Sequence, residues 1–79
     1  MEYGNLDKEL SIESIDEDEL LVTLTDESLW NIKSGDISKI ATWYETQRIV
    51  VSRNDNDVYP YLLTNLDTAA PDKVEALIV

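Results

Sequence analysis

Six short runs in which apolar and polar residues alternate, divided by acidic turns, fill almost the whole chain. A period of two places successive side chains on opposite faces, which is the pattern of a half-buried β-strand. In the first run Leu10 and Ile12 alternate with polar neighbours, while Ile15 falls out of phase and predicts a bend or bulge. The acidic cluster Asp16, Glu17 and Asp18 predicts a turn. Leu20, Val22 and Leu24 then share one face, and Asp26 with Glu27 predicts a tight hairpin into a strand where Trp30 and Ile32 share a face.

After Lys33 the period changes, and Asp36 can cap one or two helical turns in which Ile37, Ile40, Ala41 and Tyr44 fall at i, i+3, i+4 and i+7. Strand pattern resumes with Ile49, Val50 and Val51, an apolar run expected where both faces are partly covered. Asn and Asp residues between Arg53 and Val58 make a polar turn. In the next run Tyr59, Tyr61 and Leu63 occupy one face, with Pro60, Leu62, Thr64 and Leu66 on the other. Pro60 cannot donate to a ladder, so this segment is expected at an edge or to start at a bulge. Val74, Ala76 and Ile78 alternate in the last run.

A flat sheet of six strands would leave one face wet, yet several runs carry apolar residues on both faces, so closure is the better solution. The expected fold is all-β: a small single-domain barrel of five or six short antiparallel strands with one short helical turn, Src-homology-like or oligonucleotide-binding-like. Residues 8–79 form this domain and residues 1–7 are expected to be loose. With 79 residues, of which 23 are Ile, Leu or Val, there is one core and little surplus. Stability of roughly 4 to 12 kcal/mol must then come from packing and backbone pairing, because there is no cysteine for a disulfide.

The chain carries 17 acidic and 6 basic residues, a formal net charge of −11. The scattered Lys8, Lys33, Lys39, Arg48, Arg53 and Lys73 make no basic patch, which argues against a nucleic-acid partner and against anionic membranes. The charge leaves cationic surfaces, basic peptides or divalent ions open, and the partner expected is a protein or basic peptide. No run approaches the 18 or so apolar residues of a membrane span, and the first ten residues lack the basic start and apolar middle of a signal peptide, so a soluble chain is expected.

Five segments, SLWNI, Trp43, RIVVS, YPYLLTNLD and KVEALIV, together resemble a family of small, functionally uncharacterised bacterial β-barrel proteins. In that family a hairpin ending in a Trp-x-aliphatic strand is followed by a second Trp and a Tyr-x-Leu-x-Asn strand. The resemblance covers residues 10 to 79 and departs after Trp43, where Tyr44, Glu45 and Thr46 stand in place of a Gly-Asp turn. It implies the fold and no activity. Some members of that family look exported, so the resemblance leaves the location open between cytoplasmic and exported after removal of a leader.

Without histidine or cysteine, Ser-His-Asp and Cys-His arrangements are impossible, and Ser28 or Ser52 would lack the usual base. Gly4 and Gly35 alone make no glycine-rich phosphate loop. The acidic runs at 16–19 and at Asp55 and Asp57 do not match a calcium loop, so neither a metal nor a cofactor is expected. Trp30 and Trp43 are read as core anchors. Tyr44, Tyr59 and Tyr61, flanked by Asp55 and Asp57, form the candidate binding surface, a shallow aromatic groove for a Pro-rich basic peptide. The function expected is therefore a noncatalytic interaction or structural module. Its alternatives are a peptide-binding barrel using that groove, or an acidic decoy of a basic nucleic-acid-binding surface.

Overall fold

Each alternating run becomes a strand because turning its apolar set inward removes it from water while the ladder satisfies the backbone. The computed structural model describes residues 3–79. Its strands are β1 (Glu9–Asp16), β2 (Leu21–Leu24), β3 (Leu29–Ile32), β4 (Arg48–Arg53), β5 (Tyr61–Asn65) and β6 (Lys73–Ile78). A 3₁₀ turn at Ser34–Asp36 runs into the short helix α1 (Ile37–Ile40) between β3 and β4. All pairings are antiparallel, and the order β1-β2-β3-β6-β5-β4 closes on itself through β1 and β4.

Two three-strand meanders therefore face each other, joined at two seams: β3 with β6 and β1 with β4. The helical turn occupies the place between third and fourth strands that an oligonucleotide-binding-type barrel uses, but six strands replace that fold's five. Pro60 immediately precedes β5, so its missing N–H costs no ladder bond, and β5 is paired on both sides rather than lying at an edge.

Val22, Leu24, Trp30, Ile32, Ile49, Val51, Leu63, Val74 and Ala76 fill the interior. Strand direction gives the barrel two distinct ends. At the upper end lie residues 17–20, the segment from Lys33 to Gln47 and residues 66–72; at the lower end lie residues 25–28, residues 54–60 and both ends of the described chain. Ile40 and Trp43 close the upper mouth, and the Trp43 indole donates to Asp72 at 3.4 Å. Beneath them Gln47 and Asn65 are both buried, with Asn65 Nδ2 donating to Gln47 Oε1 at 2.8 Å. The same Oε1 accepts the Tyr44 N–H and Asn65 Oδ1 accepts the Asp67 N–H, so this polar pair ties two loops together.

Three expectations are corrected. Asp36 does not cap α1 with its side chain; its carboxylate accepts the Glu75 N–H at 2.9 Å, fastening the helical segment to β6. Of the expected helical face only Ile40 is buried, while Ile37 is 44% and Tyr44 63% exposed, because the helix ends after one turn. Residues 1–7 were expected to be loose. Met1 and Glu2 lie outside the described residues, but Tyr3 and Leu6 pack on the core and the Asp7 N–H bonds Val51 O at 2.8 Å.

Thr46 has φ 76°, a region a β-branched residue rarely enters. It is held there because its N–H bonds Ile12 O at 2.9 Å and its neighbour Gln47 is buried. Such a conformation costs about 1–3 kcal/mol, of which glycine would recover part after its own entropy loss. Thr46→Gly is thus expected to raise the thermal midpoint by about 4–8 °C, measured by calorimetry. An unchanged or lower midpoint would contradict strain at this turn.

Candidate binding site

The aromatic surface read from the sequence does not assemble. Tyr61 is the inward residue of its register, 6% exposed, and lies among the core side chains rather than in a surface groove. Tyr59 is half-buried in the loop at the lower end, whereas Tyr44 sits before β4 at the upper end. The six residues of β4 separate them, a span of about 20 Å at the usual rise. Asp55 and Asp57 are exposed at the lower end with Tyr59. That loop is folded by its amides: Asn56 Oδ1 accepts the Val58 and Tyr59 N–H groups at 2.8 Å each, and Asn54 Nδ2 donates to Tyr59 O at 2.8 Å. Trp30 and Trp43 are both buried.

The most perturbed titratable groups form a network at the lower mouth. The ring of Tyr3 meets Trp30 edge-on at 5.0 Å and Tyr61 at 6.3 Å, and Trp30 meets Tyr61 at 5.2 Å. The Tyr3 hydroxyl donates to Asp26 Oδ2, as does Asn5 Nδ2 at 2.9 Å. Ser28 donates to Asp26 Oδ1 through its hydroxyl and through its N–H at 3.0 Å, and its Oγ accepts the Trp30 indole N–H at 2.8 Å. Asp26 can act as this hub because it sits in the tight β2–β3 hairpin loop, where the next residue, Glu27, takes φ 70°.

Burial by itself would raise the Asp26 pKa, but the hydrogen bonds from Ser28, Tyr3 and Asn5 outweigh it and bring it down to about 2. Burial, followed by the bond to Asp26, pushes the Tyr3 phenol up to about 12. Every member has its partners and the aromatic rings fill the mouth, so the network serves as a fastening for the amino-terminal segment.

The surface that remains open lies at the upper end. The bulge at Glu13, between Ile12 and Ser14, bends β1 away from β4, and the two strands pair only over Glu9–Ser11. Beyond the Ile12 bonds to Thr46 and Gln47, the seam parts. The resulting open groove is lined by Ser14, Ile15, Glu17, Trp43, Tyr44 and Glu45, and a second depression continues it over Asp16 and Asp18. Its lining includes no lysine or arginine. The ion pairs among the described residues, Lys33–Glu75, Lys39–Asp36 and Arg48–Asp67, involve none of the groove carboxylates.

Of the expected surface residues, Tyr44 alone lines this groove. Ile15, Glu17 and Glu45 were not singled out for it, although the out-of-phase Ile15 marked the bulge that opens the seam. Among the described residues no group of three or more His, Cys, Asp or Glu side chains is placed to hold a metal ion, and no helix is long and apolar enough to cross a membrane. Comparison with protein-family models, curated proteins and solved structures finds no match to this chain.

The lower network sets a pH signature. Asp26 is depressed in the folded state, so its contribution is present above the ordinary carboxylate range and is lost as pH falls from about 4 to about 2. Tyr3 is raised, so its contribution is complete below pH 10 and is lost as pH rises toward about 12. Tyr3→Phe is expected to cost about 1.5 kcal/mol at neutral pH by urea unfolding, a bond to a charged acceptor. The difference from wild type should shrink as pH moves toward either extreme; a pH-independent difference would mean the bond to Asp26 is not its source.

Proposed function

We propose that this domain is a noncatalytic binding module that takes a basic segment of a partner protein in the groove between the acidic β1–β2 hairpin and the turn at residues 43–46. The observation that carries the reading is the coincidence, in one open seam, of an exposed aromatic ring, apolar walls and carboxylates without basic neighbours. Tyr44 offers a rigid amphipathic surface of the kind that anchors interfaces, while Ile15 and the small exposed margin of Trp43 offer apolar contact. Glu17 and Glu45 on the groove, with Asp16 and Asp18 beyond, attract Lys and Arg and repel acidic chains.

The absence of histidine and cysteine, and a groove without a deep enclosed volume, support a binding role over a catalytic one. Decoying a basic nucleic-acid-binding surface would need charge alone, with no role for Tyr44.

Titration with an octapeptide of alternating Lys and Val, followed by Trp43 fluorescence, tests the reading. Tyr44→Ala is expected to weaken binding about tenfold, equivalent to about 1.4 kcal/mol. Glu17→Gln with Glu45→Gln should weaken it further, while Asp55→Asn with Asp57→Asn should leave it unchanged. Raising salt from about 0.05 M to about 0.5 M should reduce the affinity but leave a remainder that depends on Tyr44. Binding that disappears with salt and ignores Tyr44 would instead fit the decoy, and no binding would end the proposal.

A further inference from the structure

The geometry points to strand addition: an extended basic segment of a partner protein pairs its backbone with the free side of β1 at Ile15, inside the parted seam. This rests on the reading of the groove as a site for basic segments and specifies how the backbone of that segment is held. The ladder determines which groups are free. Leu24 N–H bonds Ser28 O and Ile32 N–H bonds Leu20 O, so the even-numbered residues of β2 direct their backbone groups to β3. The odd-numbered Leu21 and Thr23 therefore serve β1, where they face Asp16 and Ser14. By alternation the N–H and C=O of Ile15 point the other way, into the groove. β4 does not reach them, because its pairing with β1 stops at Ser11 and the last bonds across the seam are those of Ile12.

The barrel thus keeps a short length of open edge at Ile15, and it lies beside Tyr44 and Glu45. A strand laid at the usual spacing of about 4.8 Å would take both Ile15 bonds. Its side chains would lie among Trp43, Tyr44, Glu17 and Glu45. The charge selects the occupant. A second copy of this chain, with its net charge of −11, is repelled by the same carboxylates that attract lysine, so the acidic rim both guards the edge against self-pairing and admits basic strands.

The test compares two octapeptides, alternating Lys-Val and alternating Lys-Pro, which carry equal charge but differ in the N–H groups a strand needs. Binding is followed by amide spectra and hydrogen exchange of the full chain. Lys-Val is expected to bind at least about tenfold more tightly than Lys-Pro, with Ile15 amide exchange slowed at least about tenfold at saturation and shifts centred on residues 13–17 and 43–46. Ile15→Pro removes an N–H that β2 does not use and should abolish the preference for Lys-Val; if that variant does not fold, the exchange measurement on the native chain decides. Equal binding of both peptides through Tyr44, or Lys-Val binding without protection of Ile15, overturns strand addition while the basic-segment reading stands. Binding of neither peptide ends both.

Discussion

Closure of the ladder between β1 and β4 is the contact on which the rest of this molecule depends. A six-strand sheet of this length left open would expose two edges and an apolar face. Joined through Glu9–Ser11 and Arg48–Val50, it instead surrounds its own core, and each of the short strands gains a neighbour on both sides. That closure is incomplete by design of the local sequence. The bulge at Glu13 and the left-handed Thr46 direct the two chains apart above Ile12, and the open groove is the consequence. Fold and candidate site therefore have one cause.

The two mouths are treated differently. Below, Tyr3 completes an aromatic cluster with Trp30 and Tyr61 and fastens itself to a carboxylate whose partners are all in place. Above, Ile40 and Trp43 fill the interior, but Tyr44, next in sequence, is turned out to water. The fork of Arg48 on Asp67, with Nε at 3.0 Å and Nη2 at 2.7 Å, secures the start of β4 against the loop after β5 and holds that carboxyl below its ordinary range. The carboxylates of the groove take no part in these ion pairs, and their mutual repulsion favours a cation over another copy of the chain.

Much of the fold was legible because a period of two leaves little choice. The inward sets Val22 with Leu24, Trp30 with Ile32, and Val74 with Ala76 follow directly from alternation, and Ile15 announced the bulge by breaking it. The site was less legible. Tyr59 and Tyr61 alternate correctly, but the pattern does not state which face is inside when both are apolar, and burial of Leu63 and Asn65 put Tyr61 within. Asp36 has the chemistry of a helix cap, yet the nearby Glu75 N–H offered a long-range partner that local reasoning could not weigh. The expected loose segment is anchored for the same reason, since a tyrosine near the start of the chain finds a pocket only once three strands have met.

The amino-acid sequence alone determined the class of fold, its single core, the acidic character and the lack of histidine or cysteine chemistry, because these depend on composition and on near-neighbour periodicity. Tertiary structure decided that the barrel closes with six strands, that Tyr3 fills one mouth, and that Tyr44 meets Ile15, Glu17 and Glu45 in one groove. Those outcomes depend on which residues far apart in the chain become neighbours, and that is set by register and closure of the whole ladder rather than by any one segment.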